Sequence, residues 1–485
     1  MTVVSPVRRI DAKTIRALVE KAGLGPIRDH LFPVIASGPV SNDKTPGDQT
    51  STARIVRDTM CALGISNARI IEHEGCYPAV YGEINSDLPN APTILIGGHY
   101  DGQPSVASQW DATKPHEPKI IPVGGGETRI FGRGTSDDWG QVLTHLFAVK
   151  MIRDSGAQLP VNLKFLIEGG EEVGSPKMDE FIRAHKEMLA CDLVILTDSA
   201  PGRMDFPVIT TTARGLVGAM VELKTGINNP HSGDNLTPGA LEILAKVLSL
   251  KNLKTMRVEI PGFYDDVLQL SDAELGKLNA MPLDADFYLR KYGLSSISVL
   301  EGHTPQETVW AQPSYEWHTA LGATKEGFPI SNTISTSAIA FVTMRIVANQ
   351  DPKRIFELFK AEVYRRLKEH TNVRQEELSI STESPAYPFK ADVSGPHFQA
   401  VAKGMSEGFG VREVDFGGCG GTEPIAIYYQ GILGVPVVFN AYNSPADNYH
   451  GNNESFSFER GFQPGVVANV LIYQNLYNLK NAVRP

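Results

Sequence analysis

An apolar strand that runs straight into two glycines and two carboxylates constrains this chain more than any other feature. In Ile167-Glu168-Gly169-Gly170-Glu171-Glu172-Val173-Gly174-Ser175 the glycines end the strand and the glutamates follow at once. Upstream, Val161, Leu163, Phe165 and Ile167 alternate with Asn162, Lys164 and Leu166, a period of two that reads as a strand with one strongly apolar face. Adjacent side chains on an irregular turn diverge, so one glutamate can hold a metal while the other faces a substrate. A metal-assisted hydrolase needs that division between ligand and proton carrier. A solvated acidic turn before a helix would read the same way, so the argument depends on the other strand ends.

Three more apolar runs end in ionisable residues. Thr93-Ile94-Leu95-Ile96 leads to Gly97-Gly98-His99-Tyr100-Asp101-Gly102, which suits a metal ligand and its orienting carboxylate. Leu193-Val194-Ile195-Leu196 ends at Thr197-Asp198. Val435 to Phe439 feeds a loop that reaches Asp447-Asn448-Tyr449-His450-Gly451-Asn452-Asn453-Glu454, where His450 offers a second imidazole. Between them, Phe131 to Gly140 carries Asp137 and Asp138 ahead of a helical stripe of Val142, Leu143, Leu146, Phe147 and Met151. Asp138 reads as the cap of that helix, and Asp137 has the freer carboxylate, able to bridge two ions. In open α/β sheets ligands gather outside the carboxyl ends of the strands, and packing alone does not put ionisable groups at every one of those ends.

Elsewhere the texture is that of scaffold. Asp11 to about Gly64 reads as helical. After Thr212, Gly215 to Leu223 reads as a strand, and Pro238 opens a helix with Leu241, Leu244, Ala245 and Leu248 on one face. Ser335 to Val347 is a further strand, Asp351-Pro352 starts a helix with Phe356, Phe359, Val363 and Leu367, and Leu378 to Glu383 is a third strand. Lys251 to Pro329 has no readable period. A helix at Gly395 to Gly408 precedes Gly417-Gly418-Cys419-Gly420-Gly421-Thr422-Glu423-Pro424, a backbone-exposing loop suited to an anion. The expected fold is α/β: a catalytic domain (1–212 and 389–485) with a mixed, mostly parallel sheet flanked by helices. An α+β sandwich (213–388) is inserted into it as a lid or dimerisation domain.

Composition narrows the partners. At 485 residues there is chain enough for two or three cores, and the net charge of -10 argues against nucleic acid or an anionic membrane. No apolar stretch approaches the ~20 residues of a membrane span, and Met1 to Gly23 lacks a signal-peptide core. The four cysteines form no CxxC pair, so a reduced, cytoplasmic protein is expected.

The set His99-x-Asp101, Gly132-Arg133-Gly134-x-x-Asp137-Asp138, Glu171-Glu172, Asp198 and His450 resembles the co-catalytic zinc metallopeptidases. That family includes cytosolic nonspecific dipeptidases, carnosinases, glutamate carboxypeptidases, aminoacylases and succinyl-diaminopimelate desuccinylases. Arg214-Gly215, His231-Ser232-Gly233, Arg345 and Gly420-Gly421-Thr422 extend the resemblance, which is greatest to the carnosinase-like dipeptidase branch. It implies two divalent ions per subunit, zinc foremost, with cobalt or manganese compatible with the same ligands. His99 and Asp198 would bind one ion, Glu172 and His450 the other, and Asp137 both. Asp101 would orient His99, and Glu171 would be the general base. A cis peptide is implied between Asp137 and Asp138. His231 would reach the active site of a partner in a homodimer built through the lid. Arg345, Gly421 and Thr422 would hold the substrate's carboxylate, with Glu423 tuning specificity.

The implied reaction is hydrolysis of the amide bond of dipeptides or short peptides. A deacylase of N-acyl or N-carbamoyl amino acids is the alternative. A catalytically silent binding protein would show decay among the ligands or at Glu171, and none is present. Three residues depart from the family pattern: Trp139, where a lysine is usual, and Cys419 and Glu423 in the glycine-rich loop. All three are expected to bear on the substrate.

Overall fold

The computed structural model describes residues 9–41, 49–199, 207–281, 283, 285–322 and 332–482, and the chain divides into two compact units. The first comprises 1–211, 391–419 and 425–485, the second 212–390 and 420–424.

The first unit is built on a six-stranded sheet in the order Arg69–Ile71, Ala79–Ile84, Asn162–Glu168, Thr93–His99, Leu193–Leu196, Val437–Phe439. The last four strands run parallel to one another, and the first two add antiparallel at one edge. Parallel strands covered on both faces lose the alternation of a half-exposed sheet. Leu193–Leu196 is accordingly buried at every position. The helix Trp139–Asp154 is likewise buried almost all round, not along one stripe, because it lies between the sheet and the long helix Gln463–Ala482. Trp139 is wholly buried and donates its indole N–H to the His30 carbonyl at 3.1 Å, so it is a packing residue and not one that faces a substrate. Of the helical stretch expected from Asp11 to Gly64, the structure gives Ala12–Ala22, Phe32–Ala36 and Thr50–Ala62, with 42–48 outside the described residues.

Helix Pro396–Phe409 packs on Gln463–Ala482 through two glycines one turn apart. A Cβ on Gly404 would lie 2.6 Å from the Ile472 nitrogen, and one on Gly408 2.5 Å from the Ala468 Cα. The two backbones touch there, which only glycine permits.

The second unit holds a four-stranded antiparallel sheet in the order Ser314–Gly322, Ser337–Ile346, Gly215–Lys224, Leu378–Ala386. Its core is Val217, Ala219, Val221 and Leu223 against Ile355, Phe359, Val363 and Leu367 of helix Pro352–His370. Asp351 caps that helix by accepting the Arg354 N–H at 2.9 Å. Two expectations need correction. The helix after Pro238 starts at Ala240, and it buries Ala240, Ile243, Leu244 and Val247 while Leu241 and Ala245 point outward. The unreadable stretch from Lys251 contains helices Asp272–Ala280, Ala285–Tyr292 and Pro305–Trp310 and the edge strand Ser314–Gly322.

Among the described residues, no helix is long and apolar enough to cross a membrane.

Candidate active site

All seven residues expected at the metal centre lie in the first unit, beyond the carboxyl ends of its parallel strands. His99 is the last residue of its strand and stands opposite Glu168, so the turn carrying Glu171 and Glu172 begins beside it. The two glycines of that turn have a steric cause. A Cβ on Gly169 would run into the Tyr100 ring, and one on Gly170 into the Tyr77 ring. Both aromatic walls close on the backbone and send the next two side chains toward His99 and His450.

Asp137 joins the two imidazoles. Its Oδ1 lies 3.1 Å from His99 Nε2, and its Oδ2 lies 3.0 Å from His450 Nε2. His99 Nε2 is also 3.5 Å from Asp198 Oδ2 and 4.0 Å from Glu171 Oε2, and His450 Nε2 is 2.9 Å from Glu172 Oε2. Two donor groups result, His99 with Glu171 and Asp198, and Asp137 with Glu172 and His450. The peptide between Asp137 and Asp138 is cis.

The surroundings orient these side chains. His99 Nδ1 faces the Asp101 carbonyl at 3.0 Å and its Oδ1 at 3.3 Å, both acceptors, so a neutral ring carries its proton there and presents the Nε2 lone pair. Asp101 accepts the backbone N–H of Glu171 through Oδ1 and that of Glu172 through Oδ2, each at 3.2 Å. One buried carboxylate therefore aligns His99 and both residues of the glutamate pair. Gln103 donates to Glu172 Oε2 at 2.8 Å.

Two polar residues outside the expected set complete the site. Asp138 occupies the cap position of helix Trp139–Asp154, yet its side chain makes no capping bond. Its Oδ2 accepts the His99 N–H at 3.1 Å and the Thr197 hydroxyl at 2.6 Å, which fixes the ends of two strands. Glu454 is completely buried and accepts backbone N–H groups of the loop that carries Asp137. Its place four residues after His450 was the only signal in the sequence.

Electrostatically the site calls for cations. Burial raises Asp137 toward neutrality, but the imidazoles of His450 and His99 outweigh it and hold the group well below the usual carboxylate range. Burial disfavours a charged His450, yet Asp137 and Glu172 overcome this and push its pKa up to about 11. His99 is raised well above its ordinary value, against burial, by Asp101, Asp137 and Asp198. Burial and the nearby Asp137 charge raise both Glu172 and Asp198. Glu172 Oε1 is buried with no hydrogen-bond partner. Crowded carboxylates, imidazoles that would otherwise take up protons and a carboxylate oxygen lacking a donor fit two divalent cations held by nitrogen and oxygen ligands.

A family model described as peptidase family M20/M25/M40 matches residues 95–474. The chain belongs to this family. The match extends from the His99 strand into helix Gln463–Ala482, so all seven site residues fall within it. Among the curated relatives in sequence, the chain is similar to the beta-Ala-His dipeptidase of Homo sapiens, at 28% identity over 78% of this chain and 74% of that protein. It is similar too to the cysteinylglycine-S-conjugate dipeptidase of Corynebacterium striatum, at 27% identity over 77% of this chain and 78% of that protein. In fold it is similar to human carnosine dipeptidase 1, with a TM-score of 0.77, 23% identity and coverage of 98% of this chain and 100% of that one. One protein of similar fold, from Bacillus subtilis, is described as a dinuclear metal-binding peptidase of the M20 family (TM-score 0.54, 10% identity), and this chain brings together two candidate ligand groups of its own.

The remaining expected residues belong to the second unit. Arg345 Nη1 donates to the Thr422 hydroxyl at 2.5 Å, so these two are joined within that unit. The Arg214 N–H donates to the Gly421 carbonyl at 2.8 Å, and the Arg214 guanidinium bonds the carbonyls of Thr308 and Gln312. His231 is exposed and accepts the Gly233 N–H on Nδ1 at 3.0 Å. Glu423 lies in the same 420–424 segment, and Cys419 is buried at the end of strand Asp415–Cys419.

Proposed function

We propose that this enzyme is a metal-dependent dipeptidase that hydrolyses short peptides with both termini free. One observation carries the reading: the two oxygens of Asp137 each face a different imidazole, and each imidazole has its own further carboxylate. His99 and Asp198 would hold one ion, Glu172 and His450 the other, and Asp137 both, with zinc the ion that suits this donor set. Two such ions would supply an acidified water and polarise the scissile carbonyl.

Asp101 holds the backbone of Glu171, which fixes its carboxylate beside His99. Glu171 accepts a proton from the attacking water and returns it to the leaving amine, so one residue serves both transfers. The second unit, with boundaries near 213 and 388, acts as lid and dimerisation domain. Arg345, Gly421 and Thr422 bind the substrate carboxylate there, since a guanidinium fork pairs two carboxylate oxygens at once. Glu423 tunes the preference for the carboxyl-terminal residue. His231 completes a partner's site in a homodimer, where it would donate to the developing oxyanion. The dipeptidase names of the relatives and the Asp at 198, which the resemblance associates with dipeptidases, support peptides over acyl-amino acids.

A panel of dipeptides, N-acetyl-amino acids and N-carbamoyl-amino acids tests the substrate class. Free dipeptides should give kcat/KM values at least about tenfold above any acylated amino acid, as expected when a ~1–3 kcal/mol polar contact is lost. Faster turnover of N-acetylated substrates would instead identify a deacylase.

A further inference from the structure

We infer that the buried pair Glu454–Arg133 is a positioning clamp that sets the spacing between Asp137 and His450, a role that rests on the proposed metal centre. Glu454 is 0% and Arg133 3% exposed. The hydrogen-bond partners of the Glu454 carboxylate are three backbone N–H groups and the Arg133 guanidinium. Oε1 accepts the N–H of Ser136 at 2.9 Å and those of Gly134 and Asp137 at 3.1 Å. Oε2 accepts Arg133 Nη1 at 2.7 Å and shares the Gly134 N–H.

Both ligand loops are tied through this pair. On one side Glu454 grips the backbone of Asp137 itself. On the other, Arg133 Nη2 donates to the Gly451 carbonyl at 2.9 Å, one residue from His450. The Gly132 N–H also donates to the Glu454 carbonyl at 3.0 Å, a second link between the two segments. Asp137 and His450 are more than 300 residues apart in sequence and share one donor group with Glu172, whereas His99, Glu171 and Asp198 make up the other group. Among the described residues neither Glu454 nor Arg133 hydrogen-bonds any of the latter three, so the clamp reaches the Glu172–His450 group from both ends and the other group only through the shared Asp137. A hydrogen-bonding partner of this kind typically contributes ~10–100-fold to metal affinity through the ligand it orients.

Glu454→Gln is the discriminating variant. It keeps the shape, but its amide N–H₂ must face either Arg133 or the three loop N–H groups, donor against donor. Chelator-buffered Zn²⁺ titrations of the full-length chain measure each equivalent separately. Wild type should take up two, and Glu454→Gln should hold the equivalent at Glu172 and His450 ~10–100-fold more weakly and the other, which feels the clamp only through Asp137, with a clearly smaller loss. Higher free Zn²⁺ should then restore the second equivalent and dipeptide turnover together. Arg133→Lys keeps the charge pair and gives up the fork that reaches Gly451, so it should show the same unequal loss at smaller size, and it carries the test if Glu454→Gln does not fold. Two unaltered equivalents in the folded variants would overturn the clamp. So would an equal weakening of both equivalents that tracks a fall in the Tm of the metal-free chain, which is what a purely structural pair would give. A wild-type chain that binds no Zn²⁺ would overturn the metal reading, and the clamp with it.

Discussion

Glu171→Ala keeps two bound metal equivalents and loses ~10²–10⁴-fold in kcat, the range for removing a general acid–base group. The value should fall toward the upper end, because in the proposed mechanism the same carboxylate handles the proton in both halves of the reaction. Its backbone is held by Asp101 whatever the side chain, so the turn should keep its shape in the variant. Glu171 also sits in a donor group with His99 and Asp198, which leaves room for a contribution to binding. Stopped-flow turnover and metal analysis on the same sample separate the two roles. Loss of one metal equivalent in step with activity would make Glu171 a ligand and leave the proton transfers without a carrier.

Asp137→Asn has the widest expected effect of any single substitution on metal binding. The change preserves volume, yet the amide must turn an N–H₂ toward the side of either His99 or His450. The carboxylate charge shared between the two groups goes as well. Altering a residue that merely orients a ligand costs ~10–100-fold in affinity, so losing the shared ligand should weaken both equivalents by more than ~100-fold. Equilibrium dialysis at defined free Zn²⁺ checks this. Selective loss of one equivalent would show that Asp137 belongs to a single ion.

Much of the site is legible in the sequence because the parallel sheet imposes a simple rule. Apolar runs such as Thr93-Ile94-Leu95-Ile96 and Leu193-Val194-Ile195-Leu196 are easy to recognise, and the first ionisable residue beyond each is placed by the sheet at a shared edge. The residues that hold the ligands are harder to see. Asp138 stands where a helix cap belongs, and only the fold shows that it binds the His99 N–H and Thr197 instead. Glu454 acts on backbone N–H groups, which leave no mark in the letters of the loop it grips.

In the second unit, strand Ser314–Gly322 escaped notice for a local reason. A register shift between Trp317 and Thr319 breaks its alternation, and as an edge strand it exposes Trp317 and Leu321. The helix Ala240–Val247 was legible, but its phase was not. Leu241, Leu244, Ala245 and Leu248 fit helical spacing as well as Ala240, Ile243, Leu244 and Val247 do, and only the packing shows that the second set is the one the helix buries.

The proposed two-ion centre requires both metals for dipeptide hydrolysis. Turnover of an unblocked dipeptide, followed as metal is returned stepwise to the stripped full-length chain, tests it most directly. The expected curve stays near background through the first equivalent, rises through the second and levels off at two per chain. Full activity in the stripped chain, or a plateau at one equivalent, would contradict it.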